Sequence, residues 1–415
     1  MSSQRAIQNG LVILFVWCNW SHAAILTVAK NPNVCPHATY TTIGAAVTAA
    51  AAGDIIDICP ALYAEQLIIT RPVTLHGLGP NGINRVLLQP AAMTNLGSLP
   101  YQAVISVVNT KDVVIDGLAI DASHNTVSGC TVSLAGIHFY NSSGKVTNNA
   151  ISGAQLSNPQ SCTKLFPGNG FGVEVDTATG QNGPFAVRIY GNSIHDFNRN
   201  GILATGAGVT AEIGGNTIAG VGPSTGYSQF GVFIATGAVG QVTRNTISQG
   251  NCGSIAFTDC VNVRSEGVVF RAAGDGSVVD SNFITNAQSG IFLNGGNKVR
   301  VTNNVIMNID ALDGIDIQGT ASGYFTNSII AGNTITHVFP ISSYASVNYA
   351  SCGINEYSGT GVAMNILSEN TVNDAYCGVA YVTADHVFSG TYLNVLYATL
   401  NEDLYPTAFP PAIEP

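Results

Sequence analysis

Charge is scarce in this chain of 415 residues: Asp, Glu, Lys and Arg together make up 9% of it, against ~25% in an average soluble protein. That excludes coiled coils, charged disordered tails and ordinary mixed helical domains, all of which draw on Lys, Glu and Arg. Long apolar runs are missing as well. The longest, Leu11 to Cys18, falls well short of the ~20 residues that cross a bilayer as a helix, so no membrane span is expected in the mature chain. No Cys-x-x-Cys pair occurs, which argues against a zinc site. Beyond residue 300 there is no Lys or Arg, while ten Asp and Glu fall there. Nucleic acid, which needs a basic footprint, is excluded as a partner. A polyanionic sugar would need a mediating cation, so calcium is carried as a possible cofactor. What remains abundant is Gly, 46 residues, with Asn, Thr, Val and Ile: the composition of a long β protein.

Residues 1–23 read as a secretory signal: Arg5, the apolar stretch Leu11 to Trp17, and the small-residue cleavage site Ser21-His22-Ala23. The chain is therefore expected to be secreted or periplasmic. Of nine cysteines, removal of Cys18 with the signal leaves eight, an even number that favours disulfides in an exported chain.

Repeats decide the fold class. Asn-x-Ile or Asn-x-Val recurs at Asn149, Asn192, Asn216, Asn245, Asn282, Asn304, Asn333 and Asn370. A second marker, Gly followed by Ile or Val, recurs at Gly136, Gly172, Gly201, Gly231, Gly267, Gly290, Gly314, Gly353 and Gly378. Intervals of 23 (Gly267 to Gly290), 24 (Gly290 to Gly314) and 25 (Gly353 to Gly378) suit one turn of a solenoid. Both markers open short alternating strands such as Gly172-Val173-Glu174-Val175-Asp176. Such strands pair in parallel with the coils above and below, stacking their aliphatics inward. The recurrent Asn reads as a structural ladder in the turn. Thr41-Thr42 and Gly53 bracket a helix at about 43–52 that lids the N-terminal coil. One all-β solenoid over residues 24–400 is expected, followed by a Pro-rich acidic tail, 401–415.

Tyr40-Thr41-Thr42-Ile43-Gly44-Ala45-Ala46-Val47, Gly53-Asp54, Tyr63-Ala64-Glu65 and Thr74-Leu75-His76-Gly77, with the later coils, resemble the pectin-lyase-like right-handed parallel β-helix proteins over roughly residues 25–390. The resemblance implies that fold and, more loosely, extracellular carbohydrate chemistry by a lyase or a glycoside hydrolase. Its catalytic branches leave no trace: the chain lacks the Asn-Thr-Asp, Asp-Asp and Gly-His-Gly of polygalacturonases, the Gln-Asp-Thr of pectin methylesterases and the Asp-Pro-His of alginate epimerases. No catalytic residue carries over. Tyr63 and Glu65 read as N-terminal scaffold, in a segment where Ala61 replaces the family's usual Gly.

The site must then be read from the register. Outward positions of the Gly-Ile strands run His138, Glu174, Leu203, Phe233, Val269, Phe292, Asp316, Asn355, and beside them Tyr140, Asp176, Thr205, Ala235, Arg271, Asn294, Gln318, Tyr357. His138, Tyr140, Glu174 and Asp176 should form a compact patch, the catalytic candidates. In a hydrolase Glu174 would be the acid and Asp176 the base or nucleophile; in a lyase His138 or Tyr140 would take the proton and the carboxylates would hold a cation. Lys164 and Arg199 at the edges, with Phe166 in a long loop, are the substrate-binding candidates. The long turns 149–172, 245–267 and 333–353 should stack into a rim carrying Phe166, Phe257, Phe339, Tyr344 and Tyr349. Asp316 with Gln318 is the next patch, and Asp310, Asp313 and Asp316 a candidate calcium group. Expected disulfides are Cys352–Cys377 on successive coils, Cys130–Cys162, Cys252–Cys260 and Cys35–Cys59. Against the enzyme stands a non-catalytic surface solenoid presenting its rim to a partner.

Overall fold

The computed structural model describes residues 23–79, 85–95, 101–128, 132–157, 169–181, 183–222, 227–250, 263–319, 325–339, 351–357, 362–363, 365–382, 395–397 and 404–406. Among these residues three twelve-stranded sheets run the length of a solenoid, a three-stranded ribbon (Gly296–Asn297, Phe325–Thr326, Val362–Ala363) spans three of its later coils, and each strand pairs in parallel with its counterparts one coil away. Each coil contributes one strand to each long sheet. The Gly-Ile strands, for example Phe171–Asp176, form one; the Asn-x-Ile strands, for example Thr246–Ser248, form the second; strands such as Val209–Gly214 form the third. The core is the stack of inward aliphatics, Ile137, Val173, Ile202, Val232, Val268, Ile291, Ile315 and Ile354, each 0% exposed. Because β-branched side chains of equal shape lie on one another at ~4.8 Å, the repeat buries a continuous apolar column that no single coil could bury alone.

The asparagine ladder forms as the repeat implies. Asn245 donates its backbone N–H and its Nδ2 to Asn282 Oδ1, both at 2.9 Å, and Nδ2 also reaches the Ile213 carbonyl at 3.0 Å. The same set links Asn149 to Asn192, Asn192 to Asn216, Asn282 to Asn304, Asn304 to Asn333 and Asn333 to Asn370. A side-chain amide is required because each rung needs two donors and an acceptor in one plane.

The lid helix covers Ile43–Ala49, with Ile43, Ala46 and Val47 buried. Thr42 caps it by accepting from Ala45 N, and Glu65 accepts from Ile43 N and Gly44 N at 3.0 and 2.8 Å. It stops short of residue 52 because Asp54 diverts the chain: its carboxylate accepts from Ala51 N at 2.7 Å and Ala24 N at 2.8 Å. Tyr63 is buried with its hydroxyl donating to the Cys59 carbonyl, so both residues read as scaffold sit in the scaffold. Cys35–Cys59 and Cys352–Cys377 are disulfides, the latter joining register partners 4.4 Å apart at Cα. Cys130, Cys162, Cys252 and Cys260 lie outside the described residues, as does the signal segment up to residue 22. Leu404–Pro406 pairs with Cys377–Val382, carrying the stack into the segment read as a tail.

The marker glycines are there for space. A Cβ at Gly231 would lie 2.5 Å from the Gly267 carbonyl oxygen of the next coil and 2.6 Å from Ile247 Cγ2. Backbone on one side and core on the other leave nothing to yield. Gly231→Ala should cost about 1–3 kcal/mol by overpacking, read as a lowered midpoint in chemical denaturation; an unchanged midpoint would show that the coils are less tightly seated than this.

Candidate functional site

Strands Ser133–Tyr140 and Phe171–Asp176 are neighbours, with His138 opposite Glu174 and Tyr140 opposite Asp176. Ile137, Phe139, Val173 and Val175 fill the core, so alternation turns the four polar residues to the other face. Side chains then cross the register diagonally. His138 Nε2 lies 2.7 Å from Asp176 Oδ1, whereas its Nδ1 lies 3.9 Å from Glu174 Oε2 and has no hydrogen-bond partner. Ser133 Oγ donates to Glu174 Oε2 at 2.7 Å. The His138 and Glu174 side chains are 1% and 8% exposed, and Asp176 is 25% exposed, so the group is closed at the histidine and open at the aspartate. Tyr140 stands at the edge, its ring centroid 6.0 Å from that of His138.

Burial sets the protonation of this group. It pushes the Glu174 carboxyl up to about 7; the His138 charge pulls it down, Asp176 pushes it up and the Ser133 hydrogen bond lowers it. Burial works against an imidazolium at His138, but the Glu174 charge and the Asp176 hydrogen bond and charge outweigh it, and the His138 pKa is raised. Near neutrality Glu174 and His138 together hold more protons than they would apart. One donor atom from each of His138, Glu174 and Asp176 lies within 4.8 Å of the others, so the group could hold a metal ion. An imidazole in the set suits a transition ion better than calcium. Asp310, Asp313 and Asp316 do not make such a group: among the described residues none but the His138 set converges this closely, and Asp310 ends strand Val305–Asp310 of a different sheet.

Arg199 is buried, 2% exposed, with Nη1 donating to the Ser228 carbonyl and its guanidinium 4.6 Å over the Phe230 ring. It is thus turned to the next coil rather than to the triad, and burial lowers its pKa to about 10. Lys164, Phe166, Phe257, Tyr344 and Tyr349 lie outside the described residues. The outward face between the two polar patches is a covered apolar floor: Phe233 and Val269 are 3% and 1% exposed, clustered with Phe230, Leu203 and Phe292.

Two features escaped the sequence. Tyr101 lies edge-on to His138 with ring centroids 4.0 Å apart, and its buried hydroxyl has no hydrogen-bond partner. Its pKa is raised, by burial first and then by Asp176 and Glu174. Its strand, Tyr101–Val108, carries no marker glycine, so the repeat gives no register for it. The second is a third outward row, one residue before each marker glycine: Ala135 and Phe171 cluster with outward Leu203, together with Ala103, the register partner of Ala135 on the unmarked strand. At the glycine two successive residues turn inward; a Cβ on Gly136 would meet core Ile151. Strict alternation places this row in the core, and the bend at glycine puts it outside.

A family model described as right handed beta helix region matches residues 171–343. Among solved structures, the GH136 lacto-N-biosidase from Eubacterium ramulus shares 8% identity at a TM-score of 0.50, covering 92% of this chain and 68% of that one. The Dettilon tailspike protein shares 15% at 0.48 over 83% of this chain, which spans 62% of the tailspike's length. The DFA-IIIase from Arthrobacter chlorophenolicus A6 without its lid shares 15% at 0.48, covering 86% of this chain and 89% of that one. No curated protein sequence matches the chain. The three parallel sheets and the matching family model establish its fold as the right-handed parallel β-helix.

Proposed function

We propose that this protein is an exported enzyme that cleaves or otherwise modifies polysaccharide, with His138, Glu174 and Asp176 as its acid–base centre. One observation carries the reading: a buried carboxyl raised to about 7, set beside a second carboxylate that is partly open to solvent and held by a histidine. That is the pairing glycosidic bond cleavage uses, one group kept protonated and its neighbour charged. The two disulfides fit an oxidising compartment. A fold neighbour bears the name lacto-N-biosidase.

If the reaction is hydrolysis, the spacing selects its course. Carboxylate oxygens within 4.8 Å leave no room for the water that an inverting pair, ~6.5–9.5 Å apart, places between them. Glu174 would give its proton to the glycosidic oxygen as that bond breaks, and Asp176 would bond to the anomeric carbon. Water, deprotonated by Glu174, would then release the sugar with retained configuration. If the reaction is elimination, His138 is the base once its raised pKa is passed, when Nδ1, which has no hydrogen-bond partner, carries no proton.

The purified protein should be screened against neutral and acidic polysaccharides, following both reducing ends and the absorbance of unsaturated products. Activity on one of them supports the reading. Retention of a polysaccharide on an affinity gel with no cleavage of any would instead identify a non-catalytic binding solenoid. In a hydrolase, an inverted first product seen by NMR would remove Asp176 as nucleophile.

A further inference from the structure

Five coils along the same face from Glu174, by the register Glu174–Leu203–Phe233–Val269–Phe292–Asp316, a second polar group interrupts the apolar floor. At ~4.8 Å per coil it lies ~24 Å away. Glu266, Asp313 and Asp316 are its buried carboxyl groups, 1%, 4% and 4% exposed. Glu266, Ser289 and Asp313 belong to the row before the marker glycines, and Ser289 is the register partner of Glu266.

Most valences here are closed within the chain. Asp313 accepts from Cys352 N at 2.8 Å and from Asn355 Nδ2 at 3.0 Å. Gln318 Nε2 donates to Asp316 Oδ2 at 3.0 Å. Arg264 Nη1 stands 3.4 Å from Glu266 Oε1, with its guanidinium 5.2 Å over the Phe292 ring. Two valences are open: Asp316 Oδ1 and Ser289 Oγ are buried with no hydrogen-bond partner, and Ser289 is 0% exposed. A buried hydrogen-bonding group left open is unfavourable until something supplies its partner. Phe292 and Asn355, the register partners of Asp316, and Gln318 are partly exposed, so the group lies directly beneath the surface.

We propose that this second group is a binding site for a neutral saccharide unit, with Ser289 and Asp316 making its hydrogen bonds; the inference rests on the polysaccharide reading and adds the substrate's charge class. Sugar hydroxyls donate and accept, as do Ser289 and a carboxyl that carries a proton. Burial pushes Asp313 up to about 7 and Asp316 well upward, the latter helped by the Asp313 charge, so donors are present near neutrality. A uronate would add a negative charge to a group whose crowding already holds protons on Asp313 and Asp316, and Arg264 is already beside Glu266. A cation is disfavoured because the three carboxyls do not converge on one point.

Titration calorimetry tests this, using cellotetraose, xylotetraose, mannotetraose and tetragalacturonate on Glu174→Gln protein so that turnover is slow on the timescale of the titration. At least one neutral tetrasaccharide should bind, more tightly than tetragalacturonate. Ser289→Ala and Asp316→Asn, each added to that background, should weaken it about tenfold or more. If Asp316→Asn does not fold, the smaller change Ser289→Ala decides. Tighter binding of tetragalacturonate, no neutral binding, unchanged affinity in Ser289→Ala, or a calcium-induced rise in melting temperature that Asp316→Asn abolishes would each overturn the proposal. Its failure is separable from that of the catalytic reading, which shows instead as turnover surviving Glu174→Gln.

Discussion

Glu174→Gln should lower turnover of the substrate found by screening by about 100-fold to 10,000-fold, the usual worth of a positioned general acid, while the protein folds normally. The change keeps the shape of the side chain and its contact with Ser133 Oγ but removes the proton that Glu174 donates. Wild-type rate should fall as pH rises through about 7, where Glu174 loses that proton, and the variant should lack this limb. Stability moves in the same sense. The folded carboxyl holds its proton up to about 7 against an ordinary 4.5, so its contribution is complete below about pH 4.5 and is lost as pH rises to about 7. Melting temperatures of wild type should therefore decline against Glu174→Gln across that window. Asp176→Asn should be as damaging to turnover, because it removes the charged partner and leaves a neutral amide oxygen as the acceptor 2.7 Å from His138 Nε2. Wild-type turnover in both folded variants would move the active site elsewhere on the solenoid.

Asn245→Ala should destabilise the fold by about 3–5 kcal/mol, as much as truncating a large core side chain. Asn245 Oδ1 accepts from Asn216 N at 3.0 Å and Asn216 Nδ2 at 2.9 Å, and its Nδ2 satisfies the Ile213 carbonyl. Alanine leaves the buried Asn216 N–H unpaired at ~1–3 kcal/mol, removes the amide's bonds to Asn282 and to the Ile213 carbonyl, and opens a cavity besides. That is a large share of the ~5–15 kcal/mol that holds a domain folded. Thr217→Ala on an adjacent strand, where the side chain is exposed, should stay within ~0.5 kcal/mol. Urea denaturation of the two variants side by side makes the comparison. Equal midpoints would mean that the ladder is ornament.

The glycine at each coil shows where reading the repeat reached its end. From Gly136 forward, alternation places Ile137 inside and His138 outside, and the structure agrees. Backward from the same residue the rule inverts, because without a Cβ the chain bends and lets two residues turn inward. Glu266 and Ser289 were hidden by that single step, and Asp313 was grouped with Asp310, a residue of another sheet. His138 is a different case. Its row was legible and its burial was not, since Tyr101, which lies against its ring, comes from a strand with no marker.

By itself the sequence determined the stack: which coils adjoin, which residues after each marker glycine face the core, the asparagine ladder, and the Cys352–Cys377 bond. These follow from nearest-neighbour pairing of near-identical repeats, where one local pattern written many times leaves a single consistent register. Only the tertiary structure decided that His138 reaches diagonally to Asp176 instead of straight across to Glu174, that the outward floor is covered, and that Glu266, Ser289, Asp313 and Asp316 lie buried near one another on the outward face. Rotamer choice, burial and the resulting proton affinities depend on side chains from coils far apart in sequence, and no repeat period encodes them.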